Sequence, residues 1–131
     1  MDLEQYFGNA KGLGVLATSD ENGKVNAAIY ARPHVMNDDT VAFIMTKRLT
    51  HHNLQSNPHA AYLFREELEG EYEGRRLHLT KLREEKDTDQ LKRLRRRTYD
   101  DDRDGRFLVF FKVDKVLPLT SAEPQPELAR G

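Results

Sequence analysis

Cysteine is absent from this chain of 131 residues. That excludes disulfides, thiolate catalysis and cysteine-ligated metal, and it is compatible with a reducing compartment. A dominant charge sign is lacking too: 21 Lys and Arg stand against 22 Asp and Glu, for a formal net charge of -1. No overall field therefore draws the chain to nucleic acid or to an anionic membrane. No apolar run approaches the roughly 18 residues of a membrane span. Met1 to Ala10 has neither a basic region nor a long apolar stretch, so it does not read as a signal peptide, and a cytoplasmic location is expected. What is present is 37% hydrophobic and 33% charged residues. This is a polar but foldable composition for one domain, with a core small enough that pairing with a second copy would complete its burial.

Periodicity predicts a mainly β chain. Residues 2–10 read as a short helix with Asp2 as its cap and Leu3, Tyr6 and Phe7 on one face. Strands are expected over 13–18, 24–32, 40–46, 60–65, 72–83 and 106–117. Asn22-Gly23 marks a hairpin turn, because both residues tolerate positive φ. In the second strand Val25, Ala27, Ile29 and Ala31 share one face, and Asn26, Ala28, Tyr30 and Arg32 the other. Pro33 ends or bends that strand. Two further helices are expected: residues 50–56, capped by Thr50 and stopped at Asn57-Pro58, and residues 87–98, opened by a capping box of Asp87 and Gln90. Six strands with short helices between them suggest a closed or partly closed antiparallel barrel. The domain would span 1–120, with a flexible tail over 121–131 that carries Pro124 and Pro126.

The segment from Thr46 to Pro58 carries the most chemistry. A strand ends, a basic loop follows, and a helix begins near Thr50. The first turn of a helix leaves backbone N–H groups unpaired and carries partial positive charge, which suits a phosphate. Lys47 and Arg48 add full charges, and Thr46 and Thr50 add hydroxyl donors. The bland alternative is a capped helix with two solvated basic residues. His51 and His52 are adjacent, so on a helix they point about 100° apart and suit no shared ion. The basic run Lys92 to Arg97 is followed at once by Asp100, Asp101, Asp102 and Asp104 and holds no interleaved aromatics. It reads as a solvated helix face, and nucleic acid is disfavoured as a partner.

Taken in order, several stretches resemble the FMN-binding split-barrel family, which includes the pyridoxamine 5'-phosphate oxidase-like proteins and the small FMN-binding proteins. They are Gly14 to Ser19 with the turn Asn22-Gly23, Val25 to Ile29, Phe43 to Thr46, Thr50 to Leu54 followed by Asn57-Pro58, and Phe107 to Val116. The resemblance implies a six-stranded antiparallel split β-barrel with short flanking helices, homodimeric, holding FMN in a cleft between subunits. It implies that the second strand, Asn26, Ala27, Ala28, Ile29 and Tyr30, runs beside the flavin ring and bonds its edge through the backbone. Met45 and Thr46 would line the cleft. Lys47, Arg48, Leu49 and Thr50 would hold the phosphate, and Asn53 would face back into the site. Where many members carry a Ser-Arg-Lys type tripeptide, this chain has Arg48, Leu49 and Thr50.

Three functions follow. The first is an FMN-dependent oxidoreductase passing electrons between a small-molecule donor and acceptor. The second is a non-catalytic FMN-binding electron carrier or sensor. The third is a flavin-free barrel acting as an interaction module. No side-chain nucleophile, acid or base is required of the chain, because the flavin carries the electron chemistry.

Overall fold

Alternating inward and outward residues build one curled antiparallel sheet, and two helices close its ends. The computed structural model describes residues 1–67, 72–94 and 105–120. The elements are α1 (Leu3–Phe7), β1 (Gly12–Ser19), β2 (Val25–Ile29), β3 (His34–Val35), β4 (Thr40–Met45), α2 (Leu49–Ser56), β5 (His59–Glu66), β6 (Gly74–Lys86), α3 (Asp89–Leu94) and β7 (Phe107–Pro118). The strand order is β2-β1-β5-β6-β7-β4-β3. The sheet is therefore open, with β2 and β3 at its two edges, and not a closed barrel.

Seven strands replace the expected six. The additional one is the two-residue β3, where His34 pairs with Ala42 and Val35 with Val41. It follows Pro33 so closely that it has no periodicity of its own to read. The second strand stops at Ile29 rather than residue 32, while β6 runs three residues beyond its expected end, to Lys86. In the hairpin after β1 only Gly23 takes positive φ, at 85°. Asp20 Oδ1 accepts from the amides of Asn22 and Lys24 and braces this longer turn.

The core lies inside the curl. Leu16, Tyr62, Phe64, Leu77, Leu79, Val109, Phe111, Val41, Phe43 and Met45 point inward from five strands. Each fully buried large side chain contributes roughly 1.5–3 kcal/mol. At one end α1 is capped by Asp2, whose Oδ1 accepts from Gln5 N at 3.1 Å. It inserts Leu3 and Phe7, and the Phe7 ring meets Phe64 edge-on at 5.5 Å. At the other end α2 contributes Leu54.

The outer face of the sheet is treated in two ways. Over β4 and β7, Leu91 of α3 covers Ala42, Leu108 and Phe110. Thr88, not Asp87, caps this helix: its Oγ1 accepts from Leu91 N at 3.3 Å. Asp87 instead sits in a turn at φ 50°, its Oδ1 accepting from Arg106 N at 2.9 Å. Over β2, β1 and β5 no such cover exists among the described residues. Val25 is 83% exposed and Ile29 73%, with Leu13 and Leu63 also open to solvent. Residues 95–98 of the expected helix, the aspartates at 100–102 and 104, and the tail over 121–131 lie outside the described residues.

Candidate functional site

The site forms where the sheet fails to close. Edge strand β2 ends at one side of the gap, β4 leads into α2 at the other, and α2 packs against both β1 and β2. Tyr30, just past β2, sets its ring edge-on to Phe43 of β4 at 5.9 Å, bridging the gap from within. Tyr62 Oη donates to Tyr30 O at 3.0 Å and holds that crossing in place.

The first turn of α2 begins one residue earlier than its hydroxyl suggests. Arg48 is the N-cap, its N–H donating to Thr46 O at 2.8 Å, and no side chain caps the helix. The first intrahelical bond runs from His52 N to Arg48 O at 2.9 Å. The amides of Leu49, Thr50 and His51 thus have no partner within the helix, and the first turn holds no acidic residue. Arg48 Nε donates to Thr46 Oγ1 at 3.0 Å, which keeps the guanidinium beside this turn.

Thr50 is buried, 3% exposed, and its hydroxyl faces β2 instead of capping the helix. Asn26 Nδ2 lies 3.5 Å from Thr50 Oγ1, at the long limit of a hydrogen bond. The Tyr30 hydroxyl also hydrogen-bonds Thr50. Burial pushes the Tyr30 hydroxyl up; the Thr50 bond and the Arg48 charge offset only part of that. Tyr30 therefore stays a protonated donor at neutral pH.

The structure thus brings Asn26, Tyr30, Thr46, Arg48 and Thr50 together, with Lys47 exposed on the loop and Leu49 exposed at the start of α2. Ala27 and Ile29 contribute differently. Tyr30 N donates to Gly14 O at 3.0 Å, so alternation turns the amides and carbonyls of Ala27 and Ile29 to the open edge of β2. The Ala28 backbone faces β1 by the same alternation, and its side chain is half-buried. Met45 packs its side chain into the core, 2% exposed. Asn53 is equally buried but turns to β1, donating from Nδ2 to Thr18 Oγ1 at 3.1 Å. These two support the site from behind.

A polar cluster on the far side of α2 carries no short-range sequence signal. His51 Nε2 lies 3.0 Å from Glu84 Oε2, Lys81 Nζ 2.7 Å from Glu84 Oε1, and Gln55 Nε2 donates to Glu84 Oε1 at 3.1 Å. The His51 ring stacks on Phe107 at 3.9 Å. Burial alone would raise the Glu84 carboxyl; the bonds from Lys81, His51 and Gln55 reverse this and hold it at about 2. A depressed carboxyl contributes stability above its ordinary pKa of about 4.5 that is lost as pH falls toward 2. Glu84 is 24% exposed, so screening reduces that contribution to about 2 kcal/mol. In acid denaturation followed by circular dichroism, the native chain should lose about that much more stability than Glu84→Gln between pH 5 and 2. Parallel curves would contradict it.

No family model matches the sequence, and no curated protein matches it. Solved structures do. An FMN-binding protein from Syntrophomonas wolfei subsp. wolfei superposes with a TM-score of 0.76 at 20% identity, over 93% of this chain and 86% of that one. HupZ of Group A Streptococcus gives 0.71 at 16% identity, over 95% and 96%. The chain has the fold of the FMN-binding split-barrel proteins. The styrene monooxygenase flavin reductase of Pseudomonas putida S12 shares it more distantly, at 0.55 and 12% identity over 82% of this chain and 79% of that one. In this fold the open side of the sheet, between edge strands β2 and β3, is the split, and α2 packs beside it against β1 and β2.

Proposed function

We propose that this split-barrel chain is an FMN-binding flavoprotein that acts as an oxidoreductase, passing electrons from a small-molecule donor to an acceptor. The observation that carries this is the convergence of Asn26 and Tyr30 with Arg48 and Thr50 on an uncapped helix start. The donor set fits a phosphomonoester: three free amides, two hydroxyls and a guanidinium, with Lys47 adding charge from the loop. The open edge of β2 suits the flat, hydrogen-bonding rim of a flavin, met by the Ala27 and Ile29 backbone. The FMN-binding protein that shares the fold supports the same cofactor.

Bound FMN would supply the hydride or electron transfer. The chain's residues then have three tasks. Arg48, Thr50 and the first-turn amides anchor the phosphate. The β2 edge orients the ring. Tyr30 keeps a neutral donor beside the phosphate turn. Visible spectra of purified protein titrated with FMN test the binding: a saturable shift of the flavin bands supports it, and an unchanged free-flavin spectrum opposes it. Stopped-flow mixing of the loaded protein with NADH or NADPH then separates turnover from storage. Bleaching of the flavin supports an oxidoreductase, and persistent colour with both donors points to a carrier or sensor.

A second copy of the chain is the proposed cover for the outer face of β2, β1 and β5. Val25, Ile29, Leu13 and Leu63 form an apolar surface there, on the strand whose edge would meet the flavin. The cleft would then lie between subunits. Light scattering should give twice the 15.2 kDa chain mass, and Ile29→Asp should reduce it to the chain mass. A native chain that scatters as a monomer would remove the shared cleft.

A further inference from the structure

We propose that His51 is a positioning residue for the phosphate turn: held between Glu84 and Phe107, it sets the roll of α2 that points Thr50 and the first-turn amides into the split. This rests on the phosphate site proposed above. His51 follows Thr50 directly, so the two side chains leave the helix about 100° apart. Thr50 meets β2 on one side; His51 meets β6 and β7 on the other. One helix turn is thereby fixed at two points about 100° apart.

The pin is built rather than incidental. His51 is 7% exposed. Its ring lies nearly parallel to Phe107, tilted by 21°, and its Nε2 bonds a carboxylate that Lys81 and Gln55 hold from two further directions. Gln55 Nε2 also donates to His51 O at 3.0 Å, tying the same cluster back to the backbone of the first turn. The remainder of α2 is short; Leu54 is its one apolar anchor in the core and Asn53 ties it to Thr18 of β1, which leaves His51 as the contact that fixes the first turn against β6 and β7.

The test compares FMN with riboflavin, which lacks the phosphate. Flavin fluorescence gives both dissociation constants for the native chain and for Glu84→Gln, His51→Leu and His51→Gln. The preference for FMN over riboflavin should fall at least fivefold in His51→Leu and Glu84→Gln, while riboflavin affinity changes less than twofold. His51→Gln can still donate to Glu84 and should recover most of the preference. A general loss of structure would lower both affinities together, which this pattern excludes. Glu84→Gln preserves volume and remains informative if His51→Leu does not fold. An unaltered preference in Glu84→Gln, or no recovery in His51→Gln, overturns the positioning role. A native chain that binds both flavins equally overturns the phosphate site itself, and the role of His51 with it.

Discussion

Gly14→Ala melts about 10 °C below the native chain. Gly14 lies in β1, paired with Phe64 of β5, and a side chain there would meet the Tyr62 ring of the same neighbouring strand. A Cβ there would fall inside the contact radius of both Tyr62 Oη and Tyr30 O. Tyr62 is fully buried and its hydroxyl already donates to Tyr30 O, so neither atom can withdraw without breaking a buried bond. Overpacking costs about 1–3 kcal/mol and the lost bond about 1 kcal/mol more. At this chain length each kcal/mol lowers the melting temperature by roughly 3–5 °C. Tyr62→Phe in the same chain removes the clash with the hydroxyl but leaves those with the ring carbon and with Tyr30 O, so the double variant should recover only part of the loss. A Gly14→Ala protein that melts within 2 °C of the native chain, a tolerance set as roughly half a kcal/mol, would contradict the packing described for the crossing at Tyr30.

FMN affinity falls about a hundredfold when Arg48 and Thr50 are both replaced by Ala. Charge-assisted phosphate bonds contribute roughly 1.5–3 kcal/mol each, so two lost bonds give about a hundredfold at the low end, and tenfold, the low-end loss of a single bond, is the smallest acceptable effect. Arg48 is exposed, and its share should shrink as salt is raised. Thr50 is buried, and its share should not. Riboflavin serves as the internal control: its affinity should move little, because neither side chain is asked to touch the ring. Isothermal titration at two salt concentrations checks all of this, and equal losses for FMN and riboflavin would assign the effect to folding.

Strands with inward-outward alternation were legible because their pattern is local. β4 and β7 carry continuous apolar residues, and the structure explains why: the inner face packs in the core while Leu91 covers part of the outer one. The apolar face of β2 was legible as a face, but its direction was not. Val25, Ala27 and Ile29 turn to solvent, and Asn26 turns to α2. Cap positions failed for a tertiary reason. Thr50 has the chemistry of a cap, yet its hydroxyl is taken by Asn26 and Tyr30, residues at least twenty positions away. Asp87 has the chemistry of a cap as well, but it serves Arg106 across a turn at positive φ. The grouping of Thr46, Arg48 and Thr50 needed only a strand leading into a helix. Their meeting with β2, and the bond of His51 to Glu84 thirty-three residues on, depend on which strands become neighbours.

Phosphorus NMR of FMN added to the protein tests the phosphate site most directly. Free FMN passes from dianion to monoanion near pH 6, and its resonance moves accordingly. Held by Arg48, Thr50 and the first-turn amides, the bound phosphate should stay at the dianion position down to about pH 5, since charge-assisted bonds favour the charged form. A bound flavin whose phosphorus resonance still follows the free titration curve would place the phosphate in solvent and contradict the site.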